Sequence, residues 1–105
     1  MTVLILALPA SDTELQTNLE KQLALYANVQ KRPPTFVDLE TIKLIVEVTA
    51  GAVGVVKTLL EIKKLRAEAG KNTRIKISQF GRDEEEILLD QADETVLAKL
   101  LEIDS

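Results

Sequence analysis

The chain opens on an uninterrupted apolar run, Val3-Leu4-Ile5-Leu6-Ala7-Leu8, preceded by Thr2 and closed by Pro9. A short, charge-free run of this kind is the pattern of a central β-strand covered on at least one face. Ser11-Asp12-Thr13-Glu14 follows and fits a capping box, in which a hydroxyl accepts an orphan amide while the glutamate reaches back to the cap. It predicts a helix over residues 11–27 with Leu15, Leu19, Leu23 and Tyr26 as its apolar stripe and Asn28 as its stop. Residues 29–37 read as an interrupted strand, because Pro33-Pro34 cannot donate to a ladder. The charged pair Lys31-Arg32 suits a sheet edge, where it discourages pairing with other chains.

The longest element is expected over residues 38–69, a second helix with Asp38 as N-cap and Gly70 just past its end. Ile42, Ile45, Val46, Thr49, Val53, Val56 and Leu60 line one face of that helix, and Leu44, Val48, Val55, Leu59 and Ile62 another. Such a helix is apolar nearly all round as far as Leu60, more than one sheet face can cover, so part of it should meet something else. Its second half, 61–68, is charged and solvated. Ala50-Gly51-Ala52-Val53-Gly54 interrupts the pattern: two glycines inside a helix cost about 1 kcal/mol each, and a kink or break is open there. The small residues admit two readings, tight packing within the domain or close approach of a helix from another chain. A phosphate-binding loop is a remote third reading, since the GxxxxGK[ST] spacing is missing and Val56, not glycine, stands directly before Lys57-Thr58. Leu44, Val48, Ala50, Gly51, Gly54, Val55 and Leu59 are accordingly the candidate interaction surface.

Arg74-Ile75-Lys76-Ile77-Ser78-Gln79-Phe80 alternates polar and apolar positions as a half-buried strand does. Gly81-Arg82-Asp83 supplies a turn, and Glu86-Ile87-Leu88-Leu89-Asp90 the return strand of a hairpin. Asp93 caps a last helix with Val96, Leu97, Leu100, Leu101 and Ile103 facing inward. The expected architecture is one α+β domain over residues 1–105 in the order β-α-β-α-β-β-α. It is a two-layer sandwich, ferredoxin-like in general form, with helices 11–27 and 38–69 on one face of a three- or four-stranded sheet.

Composition narrows the chemistry. The 105 residues include no cysteine and no histidine, which excludes disulfides, thiol nucleophiles, Cys/His zinc sites and histidine-based relays. One tyrosine, two phenylalanines and no tryptophan are a poor kit for stacking bases. The net charge of −4 also argues against nucleic acid. It is unevenly spread: residues 57–82 carry a net +6 and residues 83–105 a net −8, an asymmetry that can orient a partner or a second copy. Carboxylates are the abundant titratable groups, but Glu84-Glu85-Glu86 alternate across a strand and do not converge. Asp83, Glu85, Asp90 and Asp93 depart from the calcium-loop spacing. Glu47 and Lys57, ten positions apart, stand too far from each other on a helix to pair. No catalytic residue, metal site or cofactor is expected. The opening apolar run lacks the basic flank of a secretory signal, and the stretch 44–60 is short of the ~20 residues a membrane span needs, so a cytoplasmic protein is expected.

The opening Val3-Leu4-Ile5-Leu6-Ala7-Leu8, the small-residue patch Ala50-Gly51-Ala52-Val53-Gly54, the strand Arg74-Ile75-Lys76-Ile77 and Gly81 followed by Ile87-Leu88-Leu89-Asp90 together resemble the effector-associated constant component family. These small bacterial proteins are encoded beside effectors such as peptidases and signalling modules in conflict or immunity-type systems. The resemblance implies a non-catalytic adaptor or oligomerisation module. Its partners would be an effector protein, a second copy held through the second helix, or both, with neither nucleic acid nor membrane. A small-molecule-sensing domain with a pocket between sheet and helices is the alternative.

Overall fold

A computed structural model of the chain describes residues 2–70 and 74–101, with only the backbone at 82–84. Among the described residues five strands and three helices form an α+β domain. They follow the order β1 (Thr2–Pro9), α1 (Thr13–Leu23), β2 (Asn28–Arg32), β3 (Thr41–Val48), α2 (Ala52–Glu68), β4 (Lys76–Gln79), β5 (Arg82–Leu88) and α3 (Glu94–Leu100), with a 3-10 turn (Leu89–Gln91) before α3. The strands make a single sheet in the order β2-β3-β1-β4-β5, every neighbouring pair antiparallel. The expected order β-α-β-α-β-β-α is therefore corrected to β-α-β-β-α-β-β-α, and the sheet has five strands instead of three or four.

The difference lies in residues 38–51. Thr41–Val48 is a strand paired on both sides, with β1 from Thr2↔Val48 to Pro9↔Thr41 and with β2 from Asn28↔Glu47 to Arg32↔Lys43. Ile42, Leu44, Val46 and Val48 are buried, while Lys43 is exposed and Ile45 and Glu47 are half-buried. That alternation has a period of two. Ile45, apolar on the outer face, is what makes a helical period fit equally well. The run is rich in Val, Ile and Thr, which lose side-chain freedom in a helix and pack well on a pleated surface. Asp38 is not a helix cap: its amide and carbonyl bond the carbonyl and amide of Thr35 at 3.1 Å each.

The helix begins only at Ala52, so the glycines fall at its start and not in its interior. Gly51 is the N-cap and Gly54 lies in the first turn. Both are held against the turn that follows α1. A Cβ on Gly51 would come 2.8 Å from the Tyr26 carbonyl carbon, and one on Gly54 would come 2.5 Å from Cγ of the Tyr26 ring. Gly70 follows α2 at φ +72°, as expected of its stop.

Helix α1 is shorter than the expected 11–27. Asp12, not Ser11, is its N-cap and accepts from the Leu15 amide at 3.2 Å, and the helix ends at Leu23. Leu15, Leu19 and Leu23 face the core as expected, whereas Tyr26 lies beyond the helix and Asn28 opens β2. The other carboxylate oxygen of Asp12 accepts from Arg66 of α2 at 2.9 Å, so one side chain caps α1 and ties it to α2. Buried Gln16 donates to the carbonyls of Pro9 (2.8 Å) and Ala10 (3.1 Å), fastening α1 to the end of β1. Asp12→Ala is expected to lower unfolding free energy by about 1–2 kcal/mol, the range of a lost N-cap, in urea titrations. Arg66→Ala should cost less in the Asp12→Ala background than in the wild type, because their contact is already gone.

The hairpin and the last helix form, but the hairpin's bounds are corrected: the turn is Phe80-Gly81, Arg82 and Asp83 already belong to the return strand, and Leu89-Asp90, expected to end that strand, lie in the 3-10 turn. β4 and β5 pair, and β2, with its Lys31-Arg32, is an edge strand. Asp93 caps α3 by accepting from Val96 at 2.9 Å, and Leu97 and Leu101 are buried. Ile103, expected to face inward, lies outside the described residues.

One continuous core fills the space between the sheet and the helices. Leu4, Leu6, Leu8, Leu44, Val46, Val48 and Ile77 supply the sheet side, and the helices supply Leu15, Leu19, Leu23, Val55, Val56, Leu59, Ile62 and Leu97. The alternate positions of the two central strands, Val3, Ile5 and Ile45, do not join it; they are half-buried on the opposite face.

Candidate interaction surfaces

The seven residues expected on an interaction surface do not share one. Leu44 and Val48 point from β3 into the core, the same core that Val55 and Leu59 of α2 help to fill. Ala50 is exposed in the β3–α2 connection, and Gly51 and Gly54 are half-buried beneath Tyr26. The apolar surplus of the stretch 44–60 is thus consumed chiefly within the chain, by a strand and a helix facing each other. Val53, on α2, remains exposed. Glu47 sits on β3 and Lys57 on α2, so their expected placement on one helix is corrected as well. The space between sheet and helices, expected to hold a pocket in the sensing alternative, is filled by the core. Among the described residues there are clefts at the surface instead. One, of about 510 Å³, runs between Ser11, Leu39, Glu40 and Arg74.

Two other surfaces carry unsatisfied apolar area. The first is the loop from β2 to β3. Pro33-Pro34 stops β2, and Thr35 and Asp38 then exchange both backbone hydrogen bonds. The Asp38 amide also donates to Thr35 Oγ1, and the Glu40 amide to Asp38 Oδ1, each at 3.1 Å. Ala10 donates to the Glu40 carbonyl at 2.7 Å and anchors the base of the loop to the end of β1. At the tip of this braced turn Phe36 is 100 % exposed, Val37 96 % and Leu39 69 %. Scattered apolar residues on a surface are ordinary, but three together on a hydrogen-bonded tip form a preorganised apolar projection. Lys31 and Arg32 precede it and Asp38 and Glu40 follow it, giving a polar rim of both signs.

The second surface is the face of the sheet turned away from the helices, where Val3, Ile5 and Ile45 are half-buried and the small side chains of Ala7 and Ser78 are buried. Val3, Ile5 and Ala7 of β1 lie beside Lys43, Ile45 and Glu47 of β3, with Ile5 paired to Ile45, Ala7 to Lys43 and Val3 to Glu47. On the far side of β1, Ser78 pairs with Ile5 and Lys76 with Ala7. Lys76 approaches Glu86 at 3.9 Å.

Neither surface follows from helical periodicity. The tip was legible as Phe36-Val37 held between a Pro-Pro pair and an Asx-type turn residue, and the face as the outward half of an alternating strand. Among the described residues no three acidic side chains gather to hold a metal ion, and no helix is long and apolar enough to cross a membrane. The side chains of Asp83 and Glu84, considered for acid–base and cation chemistry, lie outside the described residues. No family model, no curated protein and no solved structure matches the chain.

Proposed function

We propose that the chain is a non-catalytic protein–protein interaction component, an adaptor that works in the cytoplasm beside an effector such as a peptidase or signalling module. The observation that carries this reading is the β2–β3 tip. An ordered turn holds Phe36 and Val37 in water, where they gain nothing for the isolated fold. Sealing a phenylalanine into a partner's apolar pocket contributes about 1.5–3 kcal/mol before the costs of association, and little ordering remains to be done on binding. A small central apolar anchor ringed by polar groups is how binding energy concentrates at interfaces. The frame that presents the tip is read as ferredoxin-like. In support, β1-α1-β2-β3-α2-β4 places β3 between the parallel strands β1 and β2, with β5 and α3 added at the β4 edge.

The test is co-purification of the tagged chain with the polypeptide encoded beside it. The Phe36→Ser/Val37→Ser double variant should lose at least about tenfold in affinity while its melting temperature stays unchanged, as expected for fully exposed positions. Equal capture by wild type and variant, or no capture by either, overturns the reading.

A further inference from the structure

The central strand and the structure around it disagree in one respect. Antiparallel sheets with one solvated face alternate apolar and polar positions, whereas a strand apolar on both faces belongs where both faces are covered. β1 is apolar at every position from Val3 to Leu8, yet the helices cover only the face of Leu4, Leu6 and Leu8. Beside it, β3 carries Lys43, Ile45 and Glu47 on the uncovered face. Neither the Lys43 nor the Glu47 side chain makes a hydrogen bond or ion pair among the described residues. Four residues along a strand separate them by about 13 Å, too far to pair with each other.

We propose that this face binds a second copy of the chain, sheet on sheet, about a two-fold axis lying across the strands at the level of Ile5 and Ile45. The charge pattern selects this occupant and this axis. The outward positions of β3 read cation, apolar, anion about Ile45, and those of β1 read Ala7, Ile5, Val3 about Ile5. A two-fold axis across the strands lays each strand over its own counterpart, running the opposite way. Ile5 then meets Ile5 and Ala7 meets Val3. Lys43 of each copy lies over Glu47 of the other, and symmetry makes the ion pair twice. A two-fold axis along β1 instead lays β3 over β4 and sets Lys43 against Lys76, cation on cation, because both pair with Ala7 in the same row. Sheets stacked about 10 Å apart leave room for these side chains to interdigitate. Five strands at ~4.8 Å spacing and ~20 Å of paired length present roughly 500 Å² per copy, or roughly 1,000 Å² in total, the lower bound of a specific interface. The dimer is therefore a weak one, held in register by its charges.

The experiment is sedimentation equilibrium of the full chain from about 10 μM to about 1 mM. The wild type dimerises. Lys43→Glu alone puts a carboxylate over Glu47, twice per dimer, and Glu47→Lys alone puts an ammonium over Lys43. Each single reversal raises the dimer dissociation constant at least about tenfold. The double reversal Lys43→Glu/Glu47→Lys restores the original pairing with the signs exchanged, and returns the constant to within about threefold of wild type. Circular dichroism melts of all four proteins below the dimerisation range establish that each folds. A wild type that stays monomeric throughout, single reversals that dimerise like wild type, or a double reversal that fails to recover overturns the proposal. The tip variant Phe36→Ser/Val37→Ser dimerises normally, since that loop lies outside the face.

Discussion

Gly51→Ala is expected to destabilise the domain by about 2–3 kcal/mol, at the upper end of what overpacking costs, and the loss should survive removal of the Tyr26 side chain. The added methyl would press on the Tyr26 carbonyl group and Cβ, so the backbone of the α1–β2 turn has to move. That turn is held by the Tyr26 and Ala27 amides bonding the Leu23 carbonyl at 3.0 and 2.9 Å, and it leads directly into β2. A shift there disturbs the β2–β3 register as well. Gly54→Ala meets only the Tyr26 ring, which is half exposed and can swing away. It should cost about 1–2 kcal/mol in the wild type and close to nothing in a Tyr26→Ala background. Gly54→Leu should be worse than Gly54→Ala for the same reason. Urea titrations of the two glycine variants with and without Tyr26→Ala separate the cases. Rescue of Gly51→Ala by Tyr26→Ala would show that the side chain and not the backbone sets the limit. Either outcome bears on the small-residue patch, whose packing partner in the structure belongs to the same chain.

Where local chemistry was decisive, the elements were legible from the residues. The apolar run of β1, the alternation of β4, the Asp93 cap of α3 and the placement of β2 at an edge each rest on a feature no competing period imitates. Residues 38–51 were not legible, because Ile42, Ile45, Val46 and Thr49 satisfy a helical period while Ile42, Leu44, Val46 and Val48 satisfy a strand period. What decides between them is not in the segment itself: β3 has a ladder partner on each side, β2 just before it in the chain and β1 far from it in sequence. The same ambiguity misplaced the candidate site. A helix apolar all round needs an external partner; a strand and a helix that line one core supply each other's cover. Gly51 and Gly54 carry a true signal of close approach, but the approaching group is Tyr26, which a helix running to residue 27 places on the stripe of α1. A helix ending at Leu23 frees that tyrosine to fold over the start of α2.

The two surfaces that remain are separate in kind. The tip at Phe36 and Val37 is small, protruding and apolar, suited to insertion in a pocket of another protein. The sheet face around Ile5 and Ile45 is broad, shallow and self-complementary in charge, suited to a second copy. A dimer formed through the face carries two tips, one on each copy. Two tips engaging an effector with repeated sites would bind by avidity, converting two weak contacts into a firm one.

Leu44→Ala is expected to cost about 3–5 kcal/mol, while Ile45→Ala, one position along, costs under about 1 kcal/mol in the dilute monomer. Leu44 is wholly buried between β1, β2 and the helices, and truncation there leaves a cavity that paired strands cannot close. Ile45 faces away from the core and is half-buried by its neighbours on the sheet. An alanine scan from 42 to 48 should therefore alternate: large losses at Ile42, Leu44, Val46 and Val48, small ones at Lys43, Ile45 and Glu47. A helix through this segment predicts a different set, with Ile42, Ile45, Val46 and Thr49 acting as one face and Leu44 and Val48 as another. Denaturant midpoints across the scan thus read the backbone period directly. Repeating the Ile45→Ala measurement by sedimentation rather than by denaturation then asks a second question of the same residue. A side chain nearly silent in folding but costly to dimerisation is what a sheet face reserved for another copy requires, whereas silence in both would leave the apolar outer half of β1 and β3 without a physical role.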